Sequence, residues 1–317
     1  MDVSIIIVNW NTRDILRDCL QSVYEQASDI NFEVILIDNA STDGSIEMVK
    51  NDFQRVILIE NPENRGLAAA NNQGMAIAKG RYVLLLNSDT VLLERSIAKT
   101  VAFSDTHPEA AVVGCRVLNQ DGTIQPSCFM FPSLLNMLLS SSYLYKLFPK
   151  SRFFGRQHLT WWKRDDAREV DVVMGCFMLV RREAIEQIGV MDERFFMYGE
   201  ETDWCYRFYK AGWKILFTPG ASIIHLHGAS TKQRKPEMTL QLRGSILLFC
   251  RKHKGSLAYS LACLLIASFF FLRVPYWLGM AIISGNDRKD HLRTAWVYIV
   301  GTLKALMGGR RLCVRAT

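Results

Sequence analysis

The first ninety residues of this chain alternate short apolar runs with helical stretches, and that rhythm admits few folds. Val3–Val8 (VSIIIV) is uninterrupted and rich in β-branched residues, as in a parallel strand buried on both faces. Asn9-Trp10-Asn11-Thr12 breaks it, with Thr12 placed as an N-cap, and Leu16, Leu20 and Val23 then recur at helical spacing. Phe32–Ile37 reads as the next strand and ends in Asp38-Asn39, after which the turn Ser41-Thr42-Asp43-Gly44 opens a helix over Ser45–Phe53. Val56–Glu60 is a third strand, Leu67–Ala78 a helix of small residues, and Tyr82–Leu86 a fourth strand stopped by Asn87-Ser88-Asp89. The order β-α-β-α-β-α-β predicts an α/β fold with a doubly wound, mixed but mostly parallel sheet. Such sheets bind ligands beyond the carboxyl ends of their strands, and here those ends carry Asn9, Asp38-Asn39 and Asn87-Ser88-Asp89.

Farther along, residues 115–168 are irregular. They hold Pro126, Pro132 and Pro149, an apolar stretch at Leu134–Leu147 and the pair Trp161-Trp162. We read this segment as an acceptor- or membrane-facing insertion. Strands are expected again at Val170–Val173 and Met178–Val180, then helices at Arg182–Ile188 and near Glu201–Ala211, stopped by Gly189 and Gly212. A strand over Trp213–Phe217 is expected to close at Pro219, leaving His225 and His227 in a loop. This places one domain at 1–230 and a tail at 231–317.

Charge separates the two regions. The formal net charge is +7, but residues 1–227 carry 23 Lys and Arg against 28 acids. Residues 228–317 carry 15 against only Glu237, Asp287 and Asp290. An acidic body argues against a nucleic-acid groove, so no nucleic-acid partner is expected. The tail holds two uncharged runs, Ser256–Leu272 and Val274–Asn286, flanked by Arg251-Lys252-His253-Lys254 and Arg288-Lys289. As a helix the first run is ~25 Å long, short of the ~30 Å hydrocarbon core of a bilayer. A re-entrant hairpin, in-plane helices, one kinked span and a buried helix pair all fit that pattern; basic flanks favour an anionic lipid surface. The eight cysteines form no C-x-x-C pair, and the chain runs from Met1-Asp2 into a strand without a basic leader. The cytoplasmic face of the cell membrane is therefore the expected location.

No G-x-G-x-x-G follows the first strand and no G-x-x-x-x-G-K-[ST] occurs, so dinucleotide redox chemistry and P-loop hydrolysis lack support. The chain offers isolated carboxylates instead. Asp38 can accept the imide N–H of a uracil or thymine ring, or simply form a turn. Asn87 and Asp89 bracket Ser88 with oxygen ligands suited to Mg²⁺ or Mn²⁺ bridging to a diphosphate, or they cap a helix. His225 or His227 could add a nitrogen ligand. Glu200-Glu201-Thr202-Asp203 is the densest acid cluster; it suits either a helix dipole or a general base whose pKa is raised by crowding and burial. Asp203 and Arg207 are spaced as i,i+4 structural partners.

In order and spacing, six stretches together resemble family 2 glycosyltransferases of the GT-A fold, in a branch that looks like rhamnosyltransferases acting on bacterial polysaccharide chains. They are VSIIIVNWN (3–11), VILIDNASTDG (34–44), NPENRGLAAANN (61–72), GRYVLLLNSD (80–89), GCFMLVRREAIEQIGVMDERFFMYG (175–199) and Glu200–Ser230. The resemblance implies that Asp38 contacts the nucleotide base, with Asn9 in the loop that cups it and Asn39 beside it. It implies that Asn64, Gly66 and Asn72 shape the nucleotide pocket. Asp89 matches the metal-binding acid of a D-x-D motif whose first Asp is Asn87 here, around Ser88, so metal binding is weakened or leans on His225. Glu201 stands where the family has a catalytic Asp, with Glu200 the other candidate base. His225, Gly228 and Ser230 match an H-x-x-G-x-S pattern. An inverting, metal-dependent transfer from a nucleotide sugar (TDP-rhamnose or a UDP-sugar) to a lipid-linked or oligosaccharide acceptor follows from it. A nucleotidyltransferase on a similar sheet would need a Gly/Arg-rich phosphate loop that Asn9–Arg13 does not supply. A non-catalytic nucleotide-sugar binder would not need the acids.

Overall fold

The computed structural model describes residues 1–27, 29–226, 235–284, 287–309 and 312. The chain opens with β1 (Val3–Asn9), α1 (Arg13–Gln26), β2 (Phe32–Asp38), α2 (Ser45–Asp52), β3 (Ile57–Glu60), α3 (Leu67–Ile77) and β4 (Tyr82–Asn87). Next come β5 (Thr90–Leu93), α4 (Ser96–Asp105), β6 (Ala110–Leu118), and the two-residue strands β7 (Ile124–Gln125) and β8 (Cys128–Phe129). Helices α5 (Leu134–Ser142) and α6 (Leu144–Leu147) lead to β9 (Arg168–Glu169) and β10 (Val172–Val173). These are followed by β11 (Phe177–Arg181), α7 (Arg182–Ile188), α8 (Glu200–Lys210) and β12 (Lys214–His225). The last described elements are α9 (Lys235–His253), α10 (Gly255–Phe271), α11 (Val274–Ile283) and α12 (Arg288–Leu306).

The main sheet has the order β3-β2-β1-β4-β11-β6-β12-β5. Strands β1 to β4 are parallel, β11 runs against both β4 and β6, and β12 is parallel to β6. This is the expected mixed, mostly parallel sheet. Its continuous apolar strands are buried on both faces, as their sequence requires. Ile5 and Ile7 pack with Leu16 and Leu20 of α1, and Ile6 packs on the opposite side with Ala68, Ala70 and Met75 of α3. Each of these isoleucine, leucine and methionine side chains contributes about 1.5–3 kcal/mol by leaving water. The small residues of α3 have a steric reason. A Cβ at Gly74 would lie 2.7 Å from Ile6 Cγ2 and 3.0 Å from Ile37 Cδ1, so the helix sits against the sheet only because that position is bare.

Register places the site. Asn9 is opposite Asp38, Asp38 is opposite Glu60, and Val8 is opposite Asn87, so the polar ends of β1, β2 and β4 share one edge.

Three local expectations change. Residues 115–118 belong to the nine-residue strand β6, whose apolar run Val112, Val113, Cys115 and Val117 is core; the irregular segment begins after Leu118. Strand β12 does not stop at Pro219. It breaks register with β6 between Thr218 and Ser222, where a proline owes the ladder no N–H, and continues to His225. His225 is therefore the last residue of a strand rather than part of a loop, while His227, Gly228 and Ser230 lie outside the described residues.

The chain forms two compact units. One comprises 1–131, 158–194 and 200–230; the other comprises 132–157, 195–199 and 231–317. In the second, α10 packs on α5, α9 and α12. The stretch Gly255–Ile283 is long and apolar enough to cross a membrane by length and composition. Leu257, Leu272, Ile282 and Ile283 on it are exposed, the last two at 86% and 80%, so this is no buried helix pair. All seven described cysteines are buried, unpaired thiols; Cys313 lies outside the described residues.

Candidate active site

Two hydrogen-bonded groups occupy the strand ends of the first unit. The first is centred on Asp38, which is 1% exposed. Its Oδ2 accepts from Asn9 Nδ2 at 2.8 Å and its Oδ1 accepts from the Ser41 backbone N–H at 2.7 Å. Asn9 Nδ2 also donates to Ser41 Oγ at 3.0 Å. Thr12 does not use its hydroxyl as a helix cap: Oγ1 donates to Asn9 Oδ1 at 2.6 Å, while Asp43 Oδ2 accepts from Arg13 N at the start of α1. Asn39 donates to the Gly66 carbonyl at 3.3 Å and accepts from Asn61 Nδ2 at 2.9 Å. Asn61 and Gln73 exchange two amide hydrogen bonds of 2.9 Å. Asn64 Oδ1 accepts from Gly66 N at 2.9 Å, an Asx turn that leads into Gly66 at φ +82°. Asn9, Asp38, Asn39, Asn64 and Gly66 thus form one connected wall, extended by Ser41, Asn61 and Gln73, which sequence reasoning missed.

Asn72 lies outside this hydrogen-bonded wall. Its amide donates to the Met191 carbonyl at 2.9 Å and to Glu193 Oε1 at 3.0 Å, and accepts from Met191 N at 3.0 Å, so it pins the segment after α7 to α3.

The second group joins the ends of β4, β5 and β12. His225 Nε2 lies 3.1 Å from Asp89 Oδ1 and 3.4 Å from Asn87 Nδ2. The antiparallel register of His225 with Thr90 and the Leu226 N–H donated to the Asp89 carbonyl at 2.9 Å hold the two residues together. The other ring nitrogen is spoken for: His225 Nδ1 lies 2.6 Å from Gln125 Oε1. Gln125 Nε2 donates to Asn119 Oδ1 and to the His225 carbonyl, so Oε1 is the end that meets the ring and Nδ1 carries the proton. Nε2 is then the nitrogen that faces Asp89, and the Gln125 carbonyl orients the ring as such a partner does for a metal-binding histidine. Ser88 Oγ, 3.1 Å from Thr12 Oγ1, ties this group to the first.

The third group is on α8. Asp203 is fully buried and accepts from Arg207 Nε at 2.9 Å, while Arg207 donates to the carbonyls of Ile188 and Val190. With Trp204 Nε1 donating to the Gly189 carbonyl at 2.9 Å, this clamp holds the turn after α7. Glu200 is 4% exposed, its Oε2 has no hydrogen-bond partner, and burial, followed by the adjacent Glu201 charge, pushes its pKa well above the usual carboxylate range. Glu201, next to it, is half-buried.

The glycosyl transferase family 2 model matches residues 4–189, more than half of the chain. The chain belongs to glycosyl transferase family 2. This glycosyltransferase is 29% identical over 237 residues to an N-acetylglucosaminyl-diphospho-decaprenol L-rhamnosyltransferase of Mycobacterium tuberculosis, covering 70% of this chain and 76% of that protein. It is 26% identical over 232 residues to the O-antigen biosynthesis protein RfbC of Myxococcus xanthus, covering 73% of this chain but 18% of that one. Among solved structures, it is similar to the mannosyltransferase PcManGT from Pyrobaculum calidifontis in complex with GDP-Man and Mn²⁺. The TM-score is 0.56 at 17% identity, with 96% of this chain and 86% of that chain covered. Likeness at that identity shows the fold, and the fold of this glycosyltransferase is GT-A.

Proposed function

We propose that this glycosyltransferase moves a sugar from a nucleoside diphosphate to a hydroxyl of a lipid-linked saccharide, inverting the anomeric carbon, in cell-surface polysaccharide synthesis. The observation that carries the reading is the Asp89–His225 pair set beside the Asp38 wall on one sheet edge. TDP-rhamnose is the first donor to test and a UDP-sugar the second. Both bases present an imide N–H, and each Asp38 oxygen keeps a second lone pair beside its hydrogen bond to Asn9 or Ser41. The rhamnosyltransferase relative supports the donor class, and its name supports a diphospho-polyprenol acceptor.

The residues present fit a divalent ion such as Mg²⁺ or Mn²⁺. Asp89 Oδ1 and His225 Nε2, 3.1 Å apart, are an oxygen and a nitrogen donor close enough that they would hold such an ion together. Among the described residues no set of three His, Cys, Asp or Glu forms, so Asp89 and His225 would share the ion with donor phosphate oxygens and water. Bound there, it supplies positive charge where the leaving diphosphate develops negative charge.

The protein's own steps are these. The Asp38 wall fixes the base and the Asn87–Asp89 edge fixes the diphosphate end of the donor, turning an encounter into an oriented pair. Glu201 takes the acceptor hydroxyl proton as that oxygen forms its bond to the anomeric carbon. The bond to the diphosphate breaks on the opposite side, and the leaving group departs with the electron pair. The basic, apolar tail seats the enzyme on anionic lipid of the cytoplasmic membrane face. Full-length enzyme in lipid vesicles is to be incubated with radiolabelled TDP-rhamnose or UDP-sugars and a crude lipid acceptor. Label should enter the lipid fraction and fall to background with EDTA. Nucleotide-sugar turnover unaffected by EDTA, or none with any donor, would overturn this reading.

A further inference from the structure

The second unit contains two arginines that no described carboxylate neutralises. Arg243 lies on α9 and is 8% exposed; Arg273 stands at the junction of α10 and α11. Their guanidinium carbons lie 4.0 and 3.9 Å from the centroid of the same ring, Phe269. Both also reach Ser141 near the end of α5. Arg243 Nη1 donates to its hydroxyl at 3.4 Å, and Arg273 Nη2 donates to its carbonyl at 2.6 Å. Arg273 Nη1 donates to the Phe269 carbonyl at 2.8 Å.

What faces Arg243 is cationic or aromatic. Arg273, Tyr143, Tyr145 and Tyr298 are its electrostatic neighbours, and burial, reinforced by the Arg273 charge, lowers its pKa. The acid of its own helix, Glu237, is held by Arg293 at 2.7 Å. Arg243 Nε is buried without a partner. Lys146 adds a further cation, 4.9 Å from the Tyr143 ring, and Arg273 lies 5.0 Å from the same ring.

Burying Arg243 with its Nε unmet, and with the half-buried Arg273 on the same Phe269 ring, is costly unless an anion completes it. The forked donors of arginine match the oxygens of a carboxylate or a phosphate. The same helices expose Leu257, Leu261, Leu264, Ile282 and Ile283, an apolar surface suited to a hydrocarbon chain. We propose that Arg243 and Arg273 bind the phosphate-bearing head group of a polyisoprenoid carrier, so that α5, α9 and α10 form the carrier-lipid site of this glycosyltransferase. The inference deepens the lipid-linked acceptor reading and rests on it, while the ligand chemistry comes from the arginine pair.

The test uses full-length protein in dodecyl maltoside micelles with EDTA present, which keeps metal-dependent diphosphate binding at Asp89 out of the measurement. Thermal shift and tryptophan emission are followed on titration with geranylgeranyl diphosphate, geranylgeraniol or inorganic diphosphate. Geranylgeranyl diphosphate should stabilise the protein and bind at least tenfold more tightly than the other two. Arg243→Gln and Arg273→Gln should each weaken it by about tenfold or more, with Arg243→Lys intermediate. Equal affinity for geranylgeraniol, or unchanged affinity in Arg243→Lys and Arg273→Gln, would overturn the assignment. Inorganic diphosphate binding as tightly as the lipid would make this a free-phosphate site and overturn the carrier. Should Arg243→Gln fail to match the wild-type melting temperature, Arg273→Gln and Arg243→Lys decide. Sugar transfer to a crude lipid acceptor, measured on the same preparations with metal restored, is a separate axis: its absence in the wild type with every donor would strike the transferase reading and leave the lipid site standing.

Discussion

The wall around Asp38 and the start of α8 are both buried and acidic, yet they are built on opposite principles. Every oxygen of Asp38 already has a donor, Asn9 is bonded to Asp38, Ser41 and Thr12, and Asn39, Asn61 and Gln73 bond one another. Glu200 is equally hidden but has an oxygen with nothing to accept from. A satisfied buried network is rigid and stabilising, whereas an unsatisfied carboxyl costs stability and shifts its pKa. Under the proposed function the two have different work: the first is to hold the donor still, and the second is to exchange a proton.

The comparison can be broken most sharply at Glu201. Glu201→Gln should cut sugar transfer by about 10³-fold, within the range of general-base catalysis, while donor affinity by calorimetry stays near wild type. Transfer within a few-fold of wild type would move the base to Glu200 or remove it from α8 altogether. Next in size is Gln125, which holds the His225 tautomer without touching substrate. Gln125→Leu should raise the Mn²⁺ concentration for half-maximal activity by about 10–100-fold, with kcat at saturating Mn²⁺ largely recovered. An unchanged Mn²⁺ profile would show that His225 is no ligand. On the wall itself, Asp38→Ala leaves the buried Asn9 amide and Ser41 N–H without their acceptor. It should cost about 1–3 kcal/mol in urea unfolding and raise the donor KM. A variant of wild-type stability would mean that the wall is looser than its hydrogen bonds state.

The sheet was legible because its information is local. VSIIIV, VILID and YVLLLN are continuous apolar runs, and only a strand buried on both faces uses them. The strand-end residues were legible for the same reason, since polar residues that stop such runs fall on one edge. Asp203 with Arg207 was visible at i,i+4. Gln125 was not, because its partner His225 is 100 residues away and a two-residue strand has no periodicity to read. Pro219 misled in a definite way: proline ends most strands, but the register break at Thr218–Ser222 lets β12 carry His225 onward to the site. Asn72, singled out by the family resemblance, also holds Met191 through both ends of its amide, a contact across 119 residues that no local pattern shows.

The smallest predicted effect concerns Glu200 and stability rather than rate. Its folded pKa lies above the unfolded value of 4.5. Below that value the carboxyl is protonated in both states and contributes no pH dependence. As pH rises past 4.5 the unfolded chain ionises first, so the folded state binds the extra proton and loses stability until its own pKa is passed. Glu200→Gln removes that loss while keeping the shape. Its melting temperature relative to wild type should therefore be nearly constant below pH 4.5 and climb as the pH is raised above it. Because the Glu201 charge is the second cause of the shift, adding Glu201→Gln to the wild type should by itself flatten part of the slope. A melting difference independent of pH would show that Glu200 is ionised in the folded protein. The two acidic regions would then be built alike, and the proton exchanged in the reaction would have to be sought elsewhere on α8.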